Sequence, residues 1–237
     1  MSKEFKIHKE VVLEGTPEQV WHAVATPEGQ AAWSPDPYGS LEGMHVERQE
    51  PRRFAVRTPE AENGAVHVFE YLVEARDSST TVLTFVHSGY LGHDWDAEFD
   101  YGELTGHGWD MYLHTLSQYI KHFAGRPAAF VVAEGPAVSA TPEAWKTLEN
   151  ALGVEGPVEV GQHLRLTPEG LPVLDGVVDY AQPGADFIGL RTDDGLYRFH
   201  ERSVMGLPIA VGHYIYRDID REGTEKAWKE WLDGLFA

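Results

Sequence analysis

The chain contains no cysteine, which removes disulfides, thiolate nucleophiles and cysteine-ligated zinc from consideration. It also has no basic run: 19 lysines and arginines stand against 38 acidic residues, for a net charge of −19. Such a surface repels phosphate backbones and anionic headgroups, so neither nucleic acid nor membrane is an expected partner. No apolar stretch is long enough for a membrane span. The start, Met1-Ser2-Lys3-Glu4-Phe5-Lys6, lacks the apolar centre of a secretory signal. The expectation is a soluble cytoplasmic protein. Nucleophile-elbow, P-loop and dinucleotide-binding glycine motifs are missing too.

What is present is repetition. Thr16-Pro17-Glu18 opens a helical stretch with Val20 and Trp21, and Thr141-Pro142-Glu143 opens another with Trp145 and Leu148. Threonine is a good N-cap, proline suits the first helical position, and glutamate complements the positive helix end. Counted back from each threonine, Phe5, Ile7 and Leu13 match Phe130, Val132 and Val138. Each half closes with an amphipathic helix carrying tryptophan, the first with Trp109, Leu113, Leu116, Ile120 and Phe123 in one stripe, the second with Trp228, Trp231, Leu232 and Leu235. Gly125-Arg126-Pro127 reads as a linker, giving domains 1–126 and 127–237.

Within the first half, residues 4–14 alternate as a strand, and a helix runs from Thr16 to Thr26-Pro27. A short second helix follows over about 28–33. An antiparallel meander is expected over 42–87, with Phe69, Tyr71 and Val73 sharing one face and Leu83, Phe85 and His87 sharing one on the next strand. Residues 88–102 read as a loop, and the closing helix as following Gly106-His107-Gly108. In the second half a helix is expected from Pro142 to about Leu152, and strands near 161–167, 173–180, 186–192, 195–202 and 209–217. The last helix is expected to carry the pairs Glu222–Lys226 and Glu225–Lys229 on its exposed side.

Two stretches carry a resemblance: Val12-Leu13-Glu14-Gly15-Thr16-Pro17-Glu18-Gln19-Val20-Trp21 running on to Trp33, and His87-Ser88-Gly89-Tyr90 with the later Gly108-Trp109 helix. Over about residues 4–124 the chain resembles the SRPBCC helix-grip superfamily of START domains, the birch-pollen allergen and polyketide cyclases. Within it, the branch resembled is the bacterial proteins similar to the C-terminal domain of the Hsp90 ATPase activator. The second half matches in element order and opening tripeptide, as a diverged tandem copy without a counterpart of Trp33. The resemblance implies an α+β fold of two helix-grip domains, each a curved antiparallel sheet wrapped around a long C-terminal helix, with an apolar cavity between sheet and helix. It carries no catalytic set.

The expected cavity lining is Trp33, Phe69, Tyr71, Phe85, His87, Tyr90, Trp109 and Leu113. Aromatic walls with a few polar tips suit a hydrophobic small molecule. Non-catalytic binding of such a ligand, with no cofactor, is the leading expectation. The alternatives are a cyclase or hydrolase using His87, with Asp94 or Asp96 as its partner, or Tyr71 for proton transfer, and a protein-interaction or chaperone-regulatory module. His107, Asp110 and His114 share a helical face, and His93, Asp94 and Asp96 lie upstream, but none forms a metal motif, and no metal is expected. The run 93–100 reads as a solvated acidic loop.

Overall fold

Strand β1 (Glu4–Leu13) alternates as its sequence directs: Ile7 and Leu13 are buried while Glu4, Lys6, His8 and Glu10 face solvent. Thr16 then starts α1 (Pro17–Ala25) with a full capping box, its hydroxyl accepting from Gln19 N and Gln19 Oε1 accepting from Thr16 N. Thr26 closes α1 and opens α2 (Pro27–Ala31) at once. Its hydroxyl donates to the His22 carbonyl at 2.8 Å and accepts from Gly29 N at 3.0 Å.

This is a computed structural model describing residues 3–35, 41–96, 100–182 and 185–237. The chain divides into two compact units, Met1–Arg126 and Pro127–Ala237. In the first, β1 is joined by β2 (His45–Gln49), β3 (Arg53–Arg57), β4 (Val66–Ala75) and β5 (Thr81–Tyr90) in the order β1-β5-β4-β3-β2, every pair antiparallel. The first strand therefore pairs with the last, and helix α3 (Tyr101–Phe123) lies against β1. Its buried Leu113, Leu116, Tyr119, Ile120 and Phe123 close the core over Leu13, Val20, Leu83 and Phe85.

The second unit repeats this topology with one strand more. It comprises β6 (Ala129–Glu134), α4 (Pro142–Leu152), β7 (His163–Leu166), β8 (Leu174–Gln182), β9 (Ala185–Arg191), β10 (Gly195–His200), β11 (Ala210–Ile215) and α5 (Arg221–Leu235). The sheet order is β6-β11-β10-β9-β8-β7, again with first strand beside last. Trp145 and Leu148 of α4 and Trp228 and Leu232 of α5 join Val131, Val178, Leu190 and Phe199 in one core. Both units thus carry the helix-grip order: strand, helix, meander, and a closing helix against the sheet.

Three expectations are corrected. Helix α3 begins at Tyr101 rather than after Gly108: Asp100 caps it by accepting from Glu103 N at 3.0 Å. The three glycines, each costing about 1 kcal/mol where a cap contributes about as much, are offset only with the packing of Tyr101 against Phe5 and Trp109 against Phe85. Strand β5 correspondingly runs on to Tyr90, held by pairing to both β1 and β4. On α5 the ion pairs are Arg221–Glu225, Lys226–Glu230 and Lys229–Asp233, not the expected ones. Each base there has an acid four residues later, and exposed pairs differ too little in energy for sequence to select among them. Thr141 does precede α4, but its side chain makes no capping bond.

Of the acidic run 93–100, residues 97–99 lie outside the described residues. No described helix is long and apolar enough to cross a membrane.

Candidate functional site

The inward faces of three adjacent strands assemble the site. Register sets Phe69 opposite His87, Tyr71 opposite Phe85, and Val73 opposite Leu83, while Ile7 of β1 flanks His87 from the other side. The Phe69 and His87 rings stack with centroids 4.3 Å apart. Next in the inward row stands Gly89, between Phe5 and His67. A Cβ there would lie 2.0 Å from the Val66 carbonyl oxygen, so the position requires glycine. The gap it leaves lets Phe5 and His67 approach to 5.5 Å, and Phe5 meets His87 edge-on at 4.9 Å.

The first half of α3 adds two rings. Tyr101 packs against Phe5 at 4.8 Å, and Trp109 against Phe85 at 4.2 Å. Burial raises the Tyr101 phenol above its ordinary range, opposed by its hydrogen bond to Thr105.

Hydrogen bonds give this group a direction. Trp109 Nε1 donates to His87 Nδ1 at 3.1 Å, and His87 Nε2 lies 3.0 Å from His67 Nδ1. An indole N–H only donates, so His87 Nδ1 must accept. The neutral His87 then carries its proton on Nε2 and donates it to His67 Nδ1, which leaves the His67 proton on Nε2. Protonating His87 would set two donors against each other. Burial, with the His67 imidazole adding to it, pushes His87 down to about 3, and burial lowers His67 as well.

Exposure is graded along α3. Its second half is packed against the core, whereas Tyr101, Trp109 and Tyr112, with Phe5, His67 and Phe69 beneath, are only partly buried. Aromatic surface therefore stays accessible at one end of the sheet–helix sandwich, above a floor of buried His87 and Phe85.

The eight residues singled out from sequence separate accordingly. Phe69, His87 and Trp109 meet in this group, with Phe85, Tyr71 and Leu113 as fully buried support. Trp33 is sealed in the core, its Nε1 donating to the Ala23 carbonyl at 2.9 Å, so it fastens α1 to the turn after α2. Tyr90 falls in step with Val82, Thr84, Val86 and Ser88, on the opposite face of β5 from His87. Phe5, His67 and Tyr101 were missed. The signal for His67 was its spacing, two residues before Phe69 on the same strand face. Among the described residues, no three His, Asp or Glu side chains converge to hold a metal. Asp110, singled out with His107 and His114, instead pairs with Lys9 at 2.7 Å.

The second unit holds a different constellation. Arg198 grips Asp179 through two bonds, Nη1 to Oδ1 at 2.8 Å and Nη2 to Oδ2 at 2.7 Å, with side chains 2% and 3% exposed. Gly189 makes room, since a Cβ there would meet Arg198 Nη1 at 2.9 Å. The Arg198 backbone N–H donates to His213 Nδ1 at 3.2 Å, which assigns the His213 proton to Nε2. That atom is buried without a hydrogen-bond partner among the described residues, and the imidazole meets the Trp228 ring edge-on at 4.6 Å. Burial holds His213 well below its usual range, and burial with the Arg202 and Arg198 charges pushes His200 down to about 3. The Arg198–Asp179 pair is closed on itself by two bonds and reads as scaffold.

No family model and no curated protein sequence matches the chain. Solved structures do. The Aha1 dimer from Colwellia psychrerythraea is 17% identical over 49% of this chain and 96% of its own, with a TM-score of 0.36. BexL, a di-domain ARO/CYC from the BE-7585A biosynthetic pathway, is 11% identical over 90% of this chain and 85% of its own, at 0.41. A START superfamily protein from Mycobacterium smegmatis is 11% identical over 49% and 97%, at 0.40. Fold similarity of this kind leaves function to the side chains.

Proposed function

We propose that residues 1–126 form a domain that binds a hydrophobic, ring-bearing small molecule, without catalysis, between the sheet and the first half of α3. One observation carries this reading: partly exposed Phe5, Phe69, Tyr101 and Trp109 converge over the buried imidazole of His87. Aromatic rings left accessible around a few fixed polar atoms are the usual makeup of a small-molecule site. Both His87 nitrogens are engaged and its neutral form is strongly favoured, which makes it a poor proton acceptor and weighs against acid–base catalysis. Residues 127–237 we read as a diverged copy of the same domain, supported by the shared strand order, in which the Arg198–Asp179 pair is structural.

The test is native mass spectrometry of freshly purified protein, with titration by an apolar naphthalene dye. Wild type is expected to carry a co-purified mass or to bind the dye saturably, and Phe69→Ala to lose either. A bare mass together with no saturable dye binding contradicts the proposal.

A second reading has its own observation. Val204 is 90% exposed, with Met205 and Leu207 also exposed. The Ile209 N–H donates to Ser139 Oγ, tying this segment beside exposed Val138. Such an apolar edge suits a protein contact. Val204→Asp should abolish any concentration-dependent self-association or captured partner.

A further inference from the structure

The hydrogen-bond chain in the first unit has one direction and one open end. The Trp109 N–H fixes His87 as acceptor at Nδ1, His87 donates from Nε2 to His67 Nδ1, and the His67 proton therefore resides on Nε2. That N–H has no hydrogen-bond partner among the described residues, and His67 is only partly buried, flanked by Phe5, Phe69 and Tyr101. A donor set among aromatic rings asks for an acceptor from whatever lies against them.

Building on the proposed binding role, we infer that the ligand carries a neutral acceptor oxygen, such as a ketone or ester carbonyl on an aromatic or fused-ring body, received by His67 Nε2–H. Charge argues for neutrality. The cation on the inward face of β1, Lys9, is engaged by Asp110, and the chain as a whole carries −19, so a carboxylate or phosphate would meet repulsion without compensation. A cationic group would gain from the acidic chain and the aromatic faces, but at His67 itself it would meet a donor where it needs an acceptor. A plain hydrocarbon leaves the His67 N–H unsatisfied on burial, which costs affinity.

The experiment compares two dyes on the whole chain: a dimethylaminonaphthalene bearing a propionyl group, and the same ring system bearing a propyl group. The ketone is expected to bind wild type roughly five- to tenfold more tightly, the worth of one neutral hydrogen bond. His67→Phe keeps the ring and removes the Nε2–H donor, and should bring the two affinities together. His67→Gln can still accept from His87 and donate to the ligand, and should keep the ketone preference. It also controls for a His67→Phe variant that fails to fold. Equal affinities in wild type, or a ketone preference that survives His67→Phe, overturn the acceptor inference while leaving apolar binding intact. If neither dye binds saturably, the binding proposal falls and this inference with it.

Discussion

Trp109 Nε1 donates to His87 Nδ1 across the sheet–helix boundary, so one bond both anchors the first half of α3 and sets the tautomer of the buried imidazole. Trp109→Phe keeps most of the ring contact with Phe85 and removes the donor. Stability should fall by about 1–2 kcal/mol, the cost of leaving a buried acceptor unmet. Urea denaturation measures it, and an unchanged midpoint would mean the bond contributes nothing.

Acid should loosen the fold before carboxylates begin to titrate. His87 and His200 titrate near 3 in the folded chain, against an ordinary value of 6.5. The unfolded chain thus binds more protons, so the stability difference is intact above 6.5 and is lost as pH falls from 6.5 towards 3. Within that window each histidine contributes a slope of up to about 1.4 kcal/mol per pH unit. Urea midpoints should therefore drop between about pH 7 and about pH 5. Equal midpoints contradict neutral burial of these two groups.

The Arg198–Asp179 pair should be costly to break and cheap to replace. Arg198→Met strands a buried carboxylate and should cost about 3–5 kcal/mol, while adding Asp179→Leu to the same chain should recover most of it. A double variant no more stable than the single would show that the pair does more than compensate its own burial. Chemical denaturation of all three chains decides this.

Gly108 offers a stabilising substitution. A Cβ placed there meets nothing within 4 Å, so Gly108→Ala should add about 0.5–1 kcal/mol by restricting the unfolded chain and favouring the helix. A lower melting temperature in this variant would contradict the open surroundings of Gly108.

Local signals in the sequence carried much of the first unit. The Thr16 cap, the proline starts and the period-two faces of Phe69, Tyr71 and Val73 and of Leu83, Phe85 and His87 rest on interactions within a few residues, and pattern alone finds them. Whatever depended on register across strands stayed hidden. Phe5 and His67 reach His87 only because Gly89 stands between them in the sheet, and Arg198 finds Asp179 across β9. Trp33 illustrates the other gap, since sequence marks a large aromatic but not whether it lines an opening or fills a core. Its fully buried ring and its bond to Ala23 mean that Trp33→Ala should cost about 3–5 kcal/mol in folding, more than a wall residue would.

The most direct test of ligand binding at the His87 group reads the indole N–H signals of the seven tryptophans by NMR while the propionyl naphthalene dye is added. Trp109, assigned by its disappearance in Trp109→Phe, should shift saturably, as should the His67 imidazole, while Trp228 and Trp231 of the second unit stay in place. A titration that moves Trp228 or Trp231 and leaves Trp109 still, or that moves none of them, contradicts a binding site between β4, β5 and the first half of α3.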